Sequence, residues 1–188
     1  MGPDEQDRKR QEFEEAALVH MNSVYNAALR LTRNKTEAED LFQETFLRAY
    51  RFFHQLRRES NCRAWLFAIL HRLFISRVRQ ASPAVVDFEE ERAYREADSR
   101  CAPLANPEVD LVRRMAGEDI RRAIATLPPK LRAVVVMADL EGCSYREIAE
   151  ICEVPIGTVM SRLYRGRQAL RASLKRYAEG GRGAGKDP

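Results

Sequence analysis

The chain has 188 residues, 45% of them hydrophobic and 32% charged, with a formal net charge of +4. That balance suits a folded protein with a buried core. No stretch approaches the ~18–20 apolar residues a membrane-spanning helix needs, so membrane insertion is not expected. The opening MGPDEQDRKRQEFEE lacks the apolar core and cleavage site of a secretory signal, and Pro3 and Gln6 spoil the myristoylation pattern begun by Met1-Gly2. The expected location is cytoplasmic.

In chain order, residues 1–11 are polar and are expected to be a disordered N-terminus. A first helical domain is expected over 12–80. Residues 12–31 place Ala17, Met21, Val24, Ala28 and Leu31 on one stripe. Thr36 and Glu39 have capping-box spacing for a second helix, with Leu41, Thr45, Ala49 and Phe52 on its apolar face. A third helix is expected from about Cys62 to Arg79, with Trp65, Ile69, Leu73 and Phe74 turned inward. Residues 81–110 then carry three prolines and 3 basic against 8 acidic residues, which is the pattern of a flexible acidic linker.

A second helical domain is expected over 111–178, followed by a flexible tail at 179–188. The stretch AGEDIRRAIATL makes one helix that stops at Pro128-Pro129, and a second runs from Pro129 to about Leu140, closed by Gly142. Ser144 and Glu147 form a second capping box, with Ile148 and Ala149 behind it as a short buried face. The residues CEV at 152–154 leave room only for a tight turn before Pro155 begins the last helix. Helix, tight turn and longer helix is helix-turn-helix spacing. Val159, Leu163, Leu170 and Leu174 would anchor the last helix, leaving Thr158, Ser161, Arg162, Tyr164 and Arg165 on its remaining surface. A solvated face would account for the arginines too. Such a face usually mixes signs, however, and no acidic residue occurs from Pro155 to Tyr177, which favours DNA.

Catalytic chemistry finds little support. Cys62, Cys101, Cys143 and Cys152 are too scattered for a metal pair, and His20, His54 and His71 lack catalytic partners. The chain is not expected to be an enzyme, and no metal or cofactor is expected. The densest acidic cluster, Glu39, Asp40 and Glu44 on one helical turn, suits a docking or solvated face better than a nuclease metal site.

The segments AEDLFQETFLRAY (38–50), CRAWLFAIL (62–70), LPPKLRAVVVMADLEGCSYREIAEI (127–151) and PIGTVMSRLYRGRQAL (155–170), in this order, resemble the extracytoplasmic-function (ECF) sigma factors of bacterial RNA polymerase. The resemblance implies an all-α fold of two small domains, sigma region 2-like and region 4-like, joined by the acidic linker. It also implies that core RNA polymerase, through its clamp and flap, promoter DNA and an anti-sigma factor are the partners. Asp40, Gln43 and Glu44 fall where the family binds the clamp. Leu56, Arg57, Arg58, Ser60, Asn61, Arg63 and Arg72 fall on the loop and helix that meet the minus-ten element. Leu56 stands where an aromatic is frequent, Arg72 where asparagine is usual, and Ser76 where aspartate or asparagine is usual. For the minus-thirty-five element the resemblance points to Ser161, Tyr164 and Arg165 at base edges, and to Arg146, Thr158, Arg162 and Arg167 at phosphates. Met160 stands where some relatives are basic. A transcriptional regulator that binds DNA without polymerase is the alternative from another class.

Overall fold

The computed structural model describes residues 3–56, 60–81 and 117–180, and among them every regular element is helical. The N-terminal half contains α1 (Pro3–Ala17), α2 (Met21–Thr32), α3 (Lys35–Phe52) and α4 (Cys62–Ala81). The C-terminal half contains α5 (Gly117–Thr126), α6 (Pro129–Val135) continued by a π-turn at Val136–Leu140, α7 (Tyr145–Cys152) and α8 (Ile156–Gly180). The expected linker lies almost wholly outside the described residues, as does most of the expected tail.

The stripes on α2 and α3 emerge much as their periodicity implies: Val24, Ala28, Leu31, Leu41, Thr45 and Ala49 are all buried. Thr45 is tolerated in this core because its hydroxyl donates to the Leu41 carbonyl at 2.7 Å. Several expectations need correction. The N-terminus is helical from Pro3, because Phe13 on the same helix buries itself among Phe46, Tyr50 and Phe53 at ring-centroid distances of 5.2–6.4 Å. A 3₁₀ turn at Leu18–His20 interrupts the helix expected over 12–31 and leaves Met21 exposed. The cap of α3 is Asn34, whose side chain accepts from the Glu37 amide at 3.2 Å, so Thr36 and Glu39 do not form the capping box. Arg33, at φ 65°, ends α2 in the left-handed region just before that cap. At the far end of α3, Phe53 takes the inward place on the Trp65 side and Phe52 is exposed.

On α4 the expected Leu73 and Phe74 are buried, while in the two preceding turns the inward positions fall one residue later than expected. Leu66, Phe67, Leu70, Leu73 and Phe74 are buried, whereas Trp65 and Ile69 are half-buried at its margin. Asn61 caps this helix by accepting from the Ala64 amide at 3.1 Å.

In the C-terminal half, Ser144 and Glu147 do form the reciprocal capping box of α7. Ile148 and Ile151 carry its buried face, and Ala149 is only half-buried. The expected continuous helix to Leu140 ends instead in the π-turn, after which Gly142 takes φ 68°. All four expected anchors of α8, Val159, Leu163, Leu170 and Leu174, are buried. Gly166 lies between them at the crossing with α6, where a β-carbon would come within 2.6 Å of Val135 Cγ2. Glycine is therefore required for α8 to approach α6 this closely.

Candidate nucleic-acid interface

Helix α7, the turn at Glu153 and Val154, and α8 form the helix-turn-helix. Glu153 makes the turn at φ 56°, and its amide returns to α7 near the Ala149 and Glu150 carbonyls. This geometry sets the first turns of α8 outward. Ile156, Met160 and Tyr164 are exposed on one face, Tyr164 at 53%, and Gln168 Nε2 donates to the Tyr164 hydroxyl at 2.7 Å. Thr158, Ser161 and Arg165 are half-buried beside them, and Arg146 on α7 is exposed. Ser161 donates to the Thr158 carbonyl at 3.0 Å, and Arg165 Nε lies 3.3 Å from the Ser161 carbonyl, so both polar groups are held along the helix.

Two of the expected phosphate ligands are placed elsewhere. Arg162 lies three positions after Val159 and four before Gly166, so helical periodicity turns it inward, and it is only 7% exposed. Its charge is felt by His71 on α4, whose pKa burial pushes down to about 4, with Arg162 and Arg72 adding to the effect. Arg167 forms a bidentate pair with Asp139 of the π-turn, at 3.1 Å and 2.6 Å, and reaches the Tyr145 hydroxyl at 3.3 Å. That pair holds its guanidinium charged well above the ordinary range. Neither arginine presents a guanidinium to a phosphate in this arrangement.

On the N-terminal half, Arg57 and Arg58 lie outside the described residues. Leu56 is half-buried and Ser60 is exposed. Asn61, which caps α4, and Arg63 and Arg72 on that helix each contact the C-terminal half. Asn61 Nδ2 donates to Glu147 Oε1 at 2.9 Å, Arg63 donates to the Glu141 carbonyl, and Arg72 pairs with Glu153. Asn61 thus caps α4 with its carbonyl oxygen and reaches Glu147 with its amide nitrogen.

The stripe on α3 is separate from this cluster. Asp40 and Gln43 are exposed, whereas Glu44 is half-buried and bridges Arg48 at 2.9 Å and Arg77 at 2.8 Å. Leu47, which the sequence reading missed, extends the stripe at 70% exposure. Its i+7 spacing from Asp40 was the available signal.

The remaining chemistry is quiet. Among the described residues no group of three or more His, Cys, Asp or Glu is arranged to hold a metal. Cys62, Cys143 and Cys152 are unbridged. Burial pushes the Cys143 thiol up to about 11 and Cys152 up to about 12, far from a reactive thiolate.

Residues 18–83 match the family model Sigma-70 region 2, and residues 117–170 match Sigma-70, region 4. These regions, in this order, define a sigma-type transcription-initiation protein. The chain is 37% identical over 166 residues to ECF RNA polymerase sigma factor SigE of Mycolicibacterium smegmatis, covering 88% of this chain and 63% of that relative. It therefore spans less than two thirds of SigE. It is 32% identical over 167 residues to SigW of Bacillus subtilis, with 87% and 89% covered. Among solved structures, it is similar to the sigma factor RpoE of Bartonella quintana, determined in complex with the anti-sigma factor NepR. The TM-score is 0.67 at 26% identity, over 88% of this chain and 98% of that one. The chain belongs to the ECF RNA polymerase sigma factors. Members of this family are initiation subunits and not enzymes, and no described helix here is long and apolar enough to cross a membrane.

Proposed function

We propose that this chain is a promoter-specificity subunit. It binds core RNA polymerase, reads a minus-thirty-five element through α8, and opens the minus-ten element along α4, acting in the cytoplasm under control of an anti-sigma factor. The observation that carries the proposal is the outward face at the start of α8, where Met160 and Tyr164 stand beside Ser161 and Arg165 with Arg146 nearby on α7. In helix-turn-helix docking this is the part of the second helix that enters the major groove. Arg165 is the guanine-reading candidate, Tyr164 and Ser161 supply further base-edge contacts, and Met160 suits the methyl group of thymine. Arg146 and Thr158 remain as the phosphate contacts, because Arg162 and Arg167 are engaged internally.

The exposed Leu47 beside Asp40 and Gln43 supports clamp docking along α3. At 70% exposure beside two exposed polar side chains, the end of the stripe offers a docking partner apolar area to bury. Flap binding by the C-terminal half follows from the region 4 assignment. Melting needs no hydrolysis. Unstacking costs a few kcal/mol per base, and captured bases with their phosphates held on cationic side chains offset that cost. The likeness to RpoE, a sigma factor crystallised with the anti-sigma factor NepR, supports the proposed control.

Selection of preferred duplexes from a random pool, followed by titration of full-length variants, tests the base-reading assignment. Arg165→Ala is expected to lose about 1–3 kcal/mol on the selected duplex and to relax discrimination at one position. Equal weakening on selected and scrambled duplexes would show that Arg165 contacts only the backbone.

A further inference from the structure

The corner between α2 and α3 and the side of α5 enclose a cleft of about 310 Å³, a volume in the range of small-molecule sites. Arg30, Arg33, Lys35, Arg121 and Arg122 all line it, and no carboxylate does. Arg30 is compensated by Glu141, whose carboxylate lies 2.5 Å away. Lys35 meets Glu39 only as an exposed pair at 3.8 Å, which offsets little of its charge. Arg33 reaches across to donate to the Ala125 carbonyl at 2.6 Å, a neutral acceptor that leaves the guanidinium charge in place. Arg33 also has a costly backbone: with Glu153 it is one of the two non-glycine residues at positive φ among the described residues. Glycine would take φ 65° with less strain than arginine does. The position thus keeps a cation at the cleft against its backbone preference.

A ligand that offsets this charge must carry several negative charges in a small volume. Oligophosphates do so. A carboxylate brings a single charge, and an acidic peptide spreads its charges over ~3.3 Å of extended chain per residue. Planar guanidiniums also bind phosphate oxygens in pairs, which suits a lining dominated by arginine. The rest of the lining includes half-buried Leu29 and Ala125, an apolar surface that phosphate alone would not use. We propose that this cleft binds a nucleoside polyphosphate. Arg33, Lys35, Arg121 and Arg122 hold its phosphates, and its base lies against Leu29 and Ala125. None of these residues belongs to the proposed DNA or polymerase contacts, so the site stands independently of the α3, α4 and α8 assignments.

Titration calorimetry of the full-length protein with ATP, inorganic triphosphate and adenosine, in magnesium-free buffer at ~0.15 M salt, tests the site. ATP should bind more tightly than triphosphate, and adenosine should give no measurable heat. Arg33→Gly is the informative change, because glycine accepts the left-handed backbone while the guanidinium is lost. ATP affinity is expected to fall roughly tenfold or more in this variant, the loss of a charged hydrogen-bond donor. Its binding to duplex DNA should be unchanged. Arg121→Gln, exposed on the α5 wall, should repeat the loss from the other side of the cleft and decides the matter if Arg33→Gly lowers the melting temperature. Arg165→Ala removes the same charge from α8 and should leave ATP affinity nearly unchanged. Absence of ATP binding to the wild type, or affinity unaltered in both cleft variants, overturns the site. Equal losses in Arg33→Gly, Arg121→Gln and Arg165→Ala overturn it too, because binding would then follow net charge. Triphosphate binding as tightly as ATP, with the cleft variants weakening both, overturns the nucleoside part and leaves a site for inorganic oligophosphate.

Discussion

Replacing Arg167 by alanine separates an internal ion pair from a DNA contact. The Arg167 and Asp139 side chains are 17% and 12% exposed and share two hydrogen bonds, with Tyr145 adding a third to the guanidinium. Breaking a buried pair on one side costs roughly 3–5 kcal/mol because the remaining charge loses its partner. Residual solvent access at Asp139 lowers that to about 2–3 kcal/mol, a large share of the ~5–15 kcal/mol that holds a domain folded. Replacing both residues by leucine should recover most of the loss. Urea unfolding followed by circular dichroism gives the magnitude, and hydrogen exchange along α8 locates it. The same variant should leave the salt dependence of duplex binding unchanged under conditions where it is folded. Unaltered stability with a salt slope reduced by about one would show that Arg167 holds a phosphate and that the pair to Asp139 is dispensable.

Gly166→Ala is expected to cost about 1–3 kcal/mol, since the new methyl meets Val135 Cγ2 on a stiff, buried side chain; an unchanged urea midpoint would contradict the close α6–α8 crossing. Gln43→Ala/Leu47→Ala should abolish co-purification with core RNA polymerase without lowering the melting temperature, because both side chains are exposed. Retained co-purification would remove the clamp assignment of α3. His71 gives a pH signature. Its folded pKa of about 4 lies below the ordinary 6.5, so the unfolded chain binds more protons between those values, and stability falls as pH drops through that window. The expected loss is about 1.2 kcal/mol at pH 5.5 relative to pH ~7, and His71→Gln should flatten the profile there. A profile unchanged by the substitution would mean that His71 is not held neutral by its buried setting near Arg162 and Arg72.

Periodicity and turn chemistry made much of the fold legible. The core stripes of α2, α3 and α8, the Ser144–Glu147 box and the helix-turn-helix spacing all follow from local rules that tertiary contacts did not override. The errors arose where two local signals competed. Asn34 displaced Thr36 as the cap because an asparagine beside a left-handed residue satisfies the Glu37 amide of α3 and starts the helix two residues earlier. Arg162 read as surface because it is charged, although its i+3 spacing from Val159 and i−4 spacing from Gly166 already put it on the inward stripe. Arg167 could be paired only with knowledge of the π-turn that brings Asp139 alongside, and a π-turn has no dependable sequence signature. The contacts of Arg30 and Arg63 with Glu141 join residues 111 and 78 positions apart, beyond the reach of local pattern. Leu47 was recoverable: an exposed leucine continuing the Asp40–Gln43–Glu44 stripe is a periodic signal.

Promoter-directed transcription tests the central claim most directly. Core RNA polymerase should be supplied with the genomic fragment that this chain selects, with and without the full-length protein, and run-off transcripts measured. The account predicts a discrete transcript that requires the protein and disappears with Gln43→Ala/Leu47→Ala. Tight duplex binding with no transcript and no stable polymerase complex would contradict it, and would identify the chain as a DNA-binding regulator that does not act as a sigma subunit.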